Sequence, residues 1–203
     1  MAEKPAESLD ETGLVVQAKG GDLRAFDSLV EKYQKRIYAL AYRMTKNHDD
    51  ADDIAQETFT RAYYALARFK VGESFFSWLY RIAINQSLNQ LRRKRRLLSF
   101  TSRHKHGGFA REETSNGQSS LEEELVSPQP SPLDCLEAKE MKRKLEEAID
   151  YLPAEQKAVF LLRVQEERSY EEIARILHIP KGTVMSRLNR ARGKLREELK
   201  EYL

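Results

Sequence analysis

Apolar residues in the first half of the chain recur every three or four positions, with polar residues between them. After Asp22 the apolar positions are Phe26, Leu29, Val30, Tyr33, Ile37, Leu40 and Met44. This spacing is typical of an α-helix with one buried face, whereas a half-buried strand would alternate at every second position. No strand pattern occurs in this half, so the sequence predicts an all-α fold.

Residues that favour helix ends divide this half into four predicted helices. Asp22 and Ser74 can cap helix N-termini with their side-chain oxygens, and Gly20 ends the first, short helix. Asn47 interrupts the apolar pattern after the second helix. The four predicted helices cover approximately residues 14–19, 22–46, 50–66 and 74–95.

Two further helices separated by a tight turn are predicted near the C-terminus. Ser169 and Glu172 form the S-x-x-E pattern of a capping box at the start of the first one. Pro180 and Gly182 lie where the chain must turn before the second. The two apolar stripes are Ile173, Ile176 and Leu177, then Val184, Leu188, Ala191 and Leu195. This arrangement is typical of a helix-turn-helix.

The polar face of the second of these helices is rich in Arg, Asn and Ser, which can reach base edges and phosphates in a DNA major groove. Its members are Met185, Ser186, Arg187, Asn189, Arg190, Arg192, Lys194 and Arg196. The alternative is a solvated basic helix in an ordinary helical protein. The complete motif favours DNA binding over that alternative.

The composition changes between the two helical blocks. The segment 97–134 contains Gly107-Gly108, Asn116-Gly117 and a Ser- and Pro-rich stretch, none of which sustains periodic burial. We therefore predict two small helical domains joined by a flexible linker. The predicted parts are a disordered N-terminus at 1–12, an N-terminal domain at 13–96, the linker at 97–134 and a C-terminal domain at 135–203.

Bulk composition narrows the class of protein without deciding its function. Charged residues make up 33% of the chain but the formal net charge is only +3, so charge must be interpreted by location. No apolar run approaches the roughly 20 residues that span a bilayer, and we expect neither membrane insertion nor a signal peptide. The single cysteine excludes an internal disulfide, and we expect a cytoplasmic protein.

The third predicted helix has an acidic and polar face opposite its apolar stripe. Asp53, Gln56, Glu57 and Thr60 share this face. Part of its charge suits the positive end of the helix dipole. The spacing alone leaves two interpretations open, a solvated surface or a surface that docks onto a basic protein.

Aromatic and basic residues crowd the segment around the fourth predicted helix. Most of its rings belong in a core, but surplus rings beside a glycine-containing loop could stack on unpaired bases. The run Arg92–Arg96 exceeds what a helix C-terminus needs and favours phosphate contact. Asn85 can read a base edge, although a solvated amide is the more common case.

The motifs also occur in an order that resembles a known family. In the N-terminal domain they are the segments 22–26, 52–59 and 76–85. In the C-terminal domain they are Leu152-Pro153 and the segments 169–174 and 182–192. Together they resemble the RpoE-like extracytoplasmic-function sigma factors of bacterial RNA polymerase, in the sigma-70 family. The resemblance covers nearly everything except the first dozen residues and the linker.

The resemblance implies a dissociable promoter-specificity subunit and not an enzyme. The residues that it assigns to core polymerase binding are Asp53, Gln56, Glu57 and Thr60. Those that it assigns to recognition and melting of the −10 element are Phe69, Lys70, Phe76, Trp78, Arg81, Asn85, Arg92, Arg93 and Arg95. Those that it assigns to the −35 element are Lys181, Thr183, Met185, Ser186, Arg187, Asn189 and Arg190.

The resemblance also implies partners. These are core RNA polymerase, through its β′ clamp and β flap, promoter DNA in duplex and melted form, and an anti-sigma factor, often membrane-anchored. The linker is expected to thread toward the RNA exit path. Met185 departs from the arginine that related proteins often have there, which predicts an altered promoter preference.

Two other functions remain as alternatives. A stand-alone helix-turn-helix repressor would bind duplex DNA without polymerase, but it would leave the N-terminal domain without a role. A nucleic-acid hydrolase would need a site such as His104-x-His106 with Cys135, whose spacing fits no usual zinc pattern. We expect no metal, no cofactor and no catalytic residues.

Overall fold

The computed structural model describes residues 11–102 and 132–200. These parts of the chain form helices, and the all-α prediction is confirmed: within them β-type pairing is limited to an isolated bridge between Val71 and Glu73. The helices are α1 Glu11–Lys19, α2 Leu23–Thr45, α3 His48–Ala65, α4 Phe75–Ser102, α5 Pro132–Asp150, α6 Ala154–Val164, α7 Tyr170–Leu177 and α8 Lys181–Glu198. None of the helices in the described ranges has the length and apolar character needed to cross a membrane.

Side-chain caps set the starts of the helices in the first half. The carboxylate of Asp22 accepts hydrogen bonds from the amides of Arg24 and Ala25, at 2.9 and 3.3 Å. Asn47 caps α3 by accepting from the amide of Asp50 at 2.8 Å. These bonds satisfy amides that have no partner within the helix itself.

The core of the N-terminal domain lies between α2, α3 and α4. Leu29 and Ile37 of α2 and Leu79 and Ile84 of α4 are fully buried, as the period of their apolar positions requires. The ring of Phe69 packs against both Phe75 and Trp78, with centroids 5.9 and 5.0 Å apart. These contacts attach the loop before α4 to the core.

The C-terminal domain is built around α8. All four residues of the predicted α8 stripe are buried, and they pack against α6, α7 and the end of α5. Ile173 and Ile176 of α7 are fully buried as expected, while Leu177 is only partly buried. The capping box is also present: Ser169 accepts from the amide of Glu172, and the carboxylate of Glu172 accepts from the amide of Ser169 at 2.8 Å.

Several helices extend beyond the predicted limits. Helix α4 continues to Ser102, because the segment after Arg95 contains no glycine or proline to stop it. Helix α1 begins at Glu11, whose carboxylate accepts hydrogen bonds from Lys32 and Tyr33 of α2 and is thereby held in place. Helix α5 begins at Pro132, three residues before the expected domain boundary. Of the segments predicted as disordered at 1–12 and as linker at 97–134, residues 11–12, 97–102 and 132–134 are helical, and the others lie outside the described residues.

Replacing Ser169 with Ala should weaken the start of α7, because the amide of Glu172 loses its acceptor. A lost N-cap costs about 1 kcal/mol, so amide hydrogen exchange in α7 should accelerate about fivefold. The control is Ser28→Ala in α2, where the hydroxyl only donates to the Arg24 carbonyl within the helix. Unchanged exchange rates in α7 would contradict the capping role.

Candidate nucleic-acid interface

Burial of one face of α8 fixes which residues it presents to solvent. Lys181, Met185, Ser186, Asn189 and Arg190 are exposed, and Thr183 and Arg187 are partly buried. All seven residues predicted to read the −35 element are therefore accessible, at least in part, along one side of α8. Their positions fit the role that the sequence predicts for them.

The turn between α7 and α8 positions the start of α8. His178 ends α7 in the left-handed conformation with φ 52°, and Ile179 donates its amide to the Ala174 carbonyl at 3.1 Å. Pro180 then begins α8, and its carbonyl accepts from the amide of Thr183 at 2.9 Å. A rigid turn of this kind orients the N-terminal residues of α8 relative to α7.

Three polar residues of α8 have partners within the protein. Lys181 forms an ion pair with Glu171 of α7. The hydroxyl of Ser186 donates to the Thr183 carbonyl at 3.0 Å. Arg187 donates to the carboxylate of Glu155, at the start of α6, at 2.5 Å. Because these pairs are at the surface, they can exchange for contacts with phosphate or base edges.

The polar face of α3 is exposed as its spacing predicts. Asp53, Gln56, Glu57 and Thr60 are all open to solvent, while Ala51, Ile54, Thr58 and Ala62 of the same helix are buried. Glu57 accepts from Arg61 one turn later at 2.5 Å. This surface is free to take a partner.

A polar cleft between α3 and α4 joins two of the predicted sites. The cleft has a volume of about 580 Å³. Asp53 and Glu57 of α3 line one side, and Arg92 and Arg93 of α4 line the other. Residues expected to bind polymerase and residues expected to bind the −10 element therefore share one surface of the N-terminal domain.

The residues predicted to contact the −10 element differ in accessibility. Lys70, Asn85, Arg92, Arg93 and Arg95 are exposed, and Trp78 and Arg81 are partly buried. Phe69 and Phe76 are only 4% and 5% exposed. In this conformation these two rings belong to the core, and stacking on a base would require a change in their surroundings.

The loop before α4 forms a second, smaller cleft with α1. Its volume is about 370 Å³, and its lining includes Val15, Phe69, Gly72 and Phe75. The ammonium of Lys19 donates to the Phe69 carbonyl at 2.7 Å and ties the loop to α1. Gly72 has a backbone φ angle of 104°, which residues other than glycine rarely adopt.

Asp50 is a functional candidate that sequence analysis did not select. Its side chain is buried and accepts from Gln90 at 2.9 Å, and it forms an ion pair with Lys94. Both partners lie on α4, next to Arg92 and Arg93. Asp50 therefore holds the basic end of α4 against the start of α3. The sequence shows only that Asp50 belongs to an acidic helix start, since its partners are some 40 residues away.

No group of three His, Cys, Asp or Glu residues arranged to hold a metal ion occurs within 11–102 and 132–200. The candidate from the sequence, His104 and His106 with the side chain of Cys135, lies outside the described residues.

Two family descriptions match the chain. "Sigma-70 region 2" matches residues 29–97, and "Sigma-70, region 4" matches residues 142–195. Among curated proteins, the chain is 34% identical to ECF RNA polymerase sigma factor SigW of Bacillus subtilis, covering 92% of this chain and 95% of SigW. It is 36% identical to RNA polymerase sigma-H factor of Pseudomonas aeruginosa, covering 94% of each chain.

Among solved structures, the chain is similar to the sigma factor RpoE of Bartonella quintana, determined in complex with the anti-sigma factor NepR. The TM-score is 0.62, the sequence identity is 24%, and the match covers 88% of this chain and 98% of RpoE. At this identity the similarity supports the fold.

Replacing Asp50 with Asn should loosen the contact between α3 and α4, because Lys94 loses its ionic partner. Hydrogen bonds to charged groups contribute about 1.5–3 kcal/mol, and we expect a loss of this size in the free energy of unfolding. Urea unfolding followed by the fluorescence of Trp78, the only tryptophan, measures it. Asp49→Asn is the control: it removes the same charge from an exposed neighbour. Equal losses in the two variants would contradict the role assigned to Asp50.

Proposed function

The chain belongs to the extracytoplasmic-function sigma factors of the sigma-70 family, and we propose which of its surfaces performs each step of promoter recognition. In this proposal α3 docks onto core RNA polymerase, α4 and the loop before it capture the −10 element, and α8 reads the −35 element. The observation that carries the proposal is the exposure of two separate polar faces, on α3 and α8, each opposite a buried apolar stripe.

Helix α8 is suited to the major groove of closed duplex DNA. Asn189 and Arg190 are exposed on the same side as Ser186, and such side chains can pair with base edges. Met185, 45% exposed, offers an apolar contact where related proteins often have a cation. A methionine at this position can touch a thymine methyl group but cannot bind phosphate, so it shifts promoter preference.

Helix α4 and its preceding loop are suited to opened DNA. Arg92, Arg93 and Arg95 provide phosphate contacts that do not depend on sequence. Asn85 is exposed on the same helix and has both a donor and an acceptor for the pairing edge of an unpaired base. The cleft beside Gly72 is open to receive such a base, and the protein must offset a few kcal/mol of unstacking.

Helix α3 supplies the proposed polymerase contact. Its exposed Asp53 and Glu57 suit a basic protein surface, which we assign to the β′ clamp. The β flap would take the C-terminal domain. We infer that the protein has no catalytic activity of its own and acts in the cytoplasm. An anti-sigma factor is a further proposed partner, supported by the similarity to RpoE of Bartonella quintana, which was solved with one.

In vitro transcription separates this function from that of a stand-alone repressor. Purified core polymerase with this protein should start transcripts at defined sites on genomic DNA, and a repressor would give none.

Glu57→Lys should lower core polymerase binding, because it reverses the charge at the centre of the proposed docking face. Glu31→Lys, at an exposed position of α2, is the matched control. Undiminished binding by Glu57→Lys in a pull-down would refute docking through α3.

Replacing Arg187 or Arg190 with Ala should weaken binding to the −35 element. The loss of a residue that pairs with a base should cost about 1–3 kcal/mol of binding free energy. Anisotropy titrations against a set of single-base-pair variants of the duplex measure this effect. Loss confined to particular base pairs indicates base readout, and even loss across all sequences indicates phosphate contact. Arg143→Ala, at an exposed position of α5, is the control. No loss in either arginine variant would exclude α8 as the reading helix.

A further inference from the structure

Among the residues whose burial the structure describes, Tyr64 has the most exposed large apolar side chain. Its exposure is 79%, compared with 44% for its neighbour Tyr63. A single exposed apolar residue needs no explanation in itself, because folded proteins leave much of their apolar surface in water. The informative question is which other residues share its face of the helix.

Helical spacing places Tyr64 in the exposed row of α3 that carries the proposed docking residues. It follows Asp53, Glu57 and Thr60 by eleven, seven and four residues. These are the intervals at which the side chains of an α-helix lie in one row. Thr58 and Ala62, on the opposite side of α3, are fully buried, so the row cannot turn inward. The proposed docking face therefore continues for one more turn and ends on an aromatic ring.

Two ring contacts support the aromatic end of this row. The Tyr63 ring packs edge-on against the buried Phe26 of α2, with the ring centroids 5.2 Å apart. The Tyr64 ring packs edge-on against Tyr63 in turn, at 5.7 Å. Edge-to-face pairs of aromatic rings are favourable. Tyr64 therefore has a preferred position before any partner binds, which lowers the entropy that binding must offset.

The chemistry of the row changes along its length. Asp53 and Glu57 are exposed acids at its start. The hydroxyl of Thr60 donates to the Gln56 carbonyl at 2.8 Å, so its donor is already used within the helix. The row thus passes from acidic at Asp53 to aromatic at Tyr64. Eleven residues at about 1.5 Å each separate these two ends by about 16 Å.

This arrangement selects a protein partner. Nucleic acid is disfavoured, because its phosphates would be repelled by Asp53 and Glu57. A protein surface fits if it has basic groups at one end and an apolar pocket about 16 Å away. Aromatic residues that fill such pockets carry much of the affinity of an interface, whereas exposed ion pairs contribute little.

We propose that Tyr64 is the apolar anchor of core polymerase docking, and that it inserts into a pocket of the clamp beside the basic groups that meet Asp53 and Glu57. This inference rests on the proposed docking of α3, and it adds that the ring supplies more of the affinity than the acids do. The acids set the orientation and rate of encounter, and Tyr64 sets the lifetime of the complex.

Binding of full-length variants to core polymerase at two salt concentrations tests the anchor. Tyr64→Ala should lower the affinity on the order of thirtyfold, the scale of a truncated aromatic hot spot. This loss should be the same at about 0.1 and about 1 M ionic strength, whereas the loss in Glu57→Lys should shrink, because salt screens charges. Tyr64→Phe keeps the ring and should bind like wild type. Val16→Ala, which truncates an apolar residue of 49% exposure on α1, is the control.

Two results of this titration would overturn the proposal: wild-type affinity in Tyr64→Ala, or a loss that shrinks with salt as that of Glu57→Lys does. The substitution leaves the contact between Tyr63 and Phe26 in place, so the packing of α3 on α2 is retained. Failure of the wild-type protein to bind core polymerase would instead refute the proposed function.

Photo-crosslinking identifies what the ring touches and does not depend on the alanine variant. With p-benzoylphenylalanine in place of Tyr64, irradiation of the assembled holoenzyme should link this position to the β′ subunit. The same group in place of Val16 should give no such link. A link from position 64 to promoter DNA or to another subunit, or no link at all, would overturn the proposal.

Discussion

The burial of the apolar stripe of α8 is the constraint that fixes which side chains this helix presents to solvent. Val184, Leu188 and Ala191 are at most 1% exposed, so α8 cannot rotate about its axis without exposing them. With the rotation fixed, the side chains at intervening positions must face solvent. The exposed face of α8 is therefore a consequence of core packing, and substitutions on that face can change its chemistry without disturbing the fold.

The same principle organises the N-terminal domain, with one addition. The apolar residues of α3 fix its polar face outward, but the position of α4 against that face also depends on a buried carboxylate. Asp50 joins the start of α3 to Gln90 and Lys94, and this brings Arg92 and Arg93 to the edge of the cleft that Asp53 and Glu57 line. The surfaces that we propose for polymerase docking and for strand capture therefore lie next to each other.

The contacts between the domains use residues that we propose bind promoter DNA. Arg81 caps α7, Arg92 approaches Glu155, and Phe76 lies under Arg168. A surface that binds phosphates must be cationic, and a cationic surface also attracts acidic residues of its own chain. Exposed ion pairs are weak enough to yield to a polyanion.

The sequence by itself determined the helices, most of their caps, the helix-turn-helix and the outward faces of α3 and α8, because each depends on residues within one or two helical turns. Helix ends at α1, α4 and α5 were less well predicted, since no strong stop signal marks them. Only the tertiary structure decided that Phe69 and Phe76 are buried while Trp78 is partly open, because aromatic density in a segment does not say which rings face inward. It also decided the partners of Asp50, Glu155 and Glu166. Those contacts join residues far apart in the chain, and they arise from how whole helices pack, which no local pattern encodes.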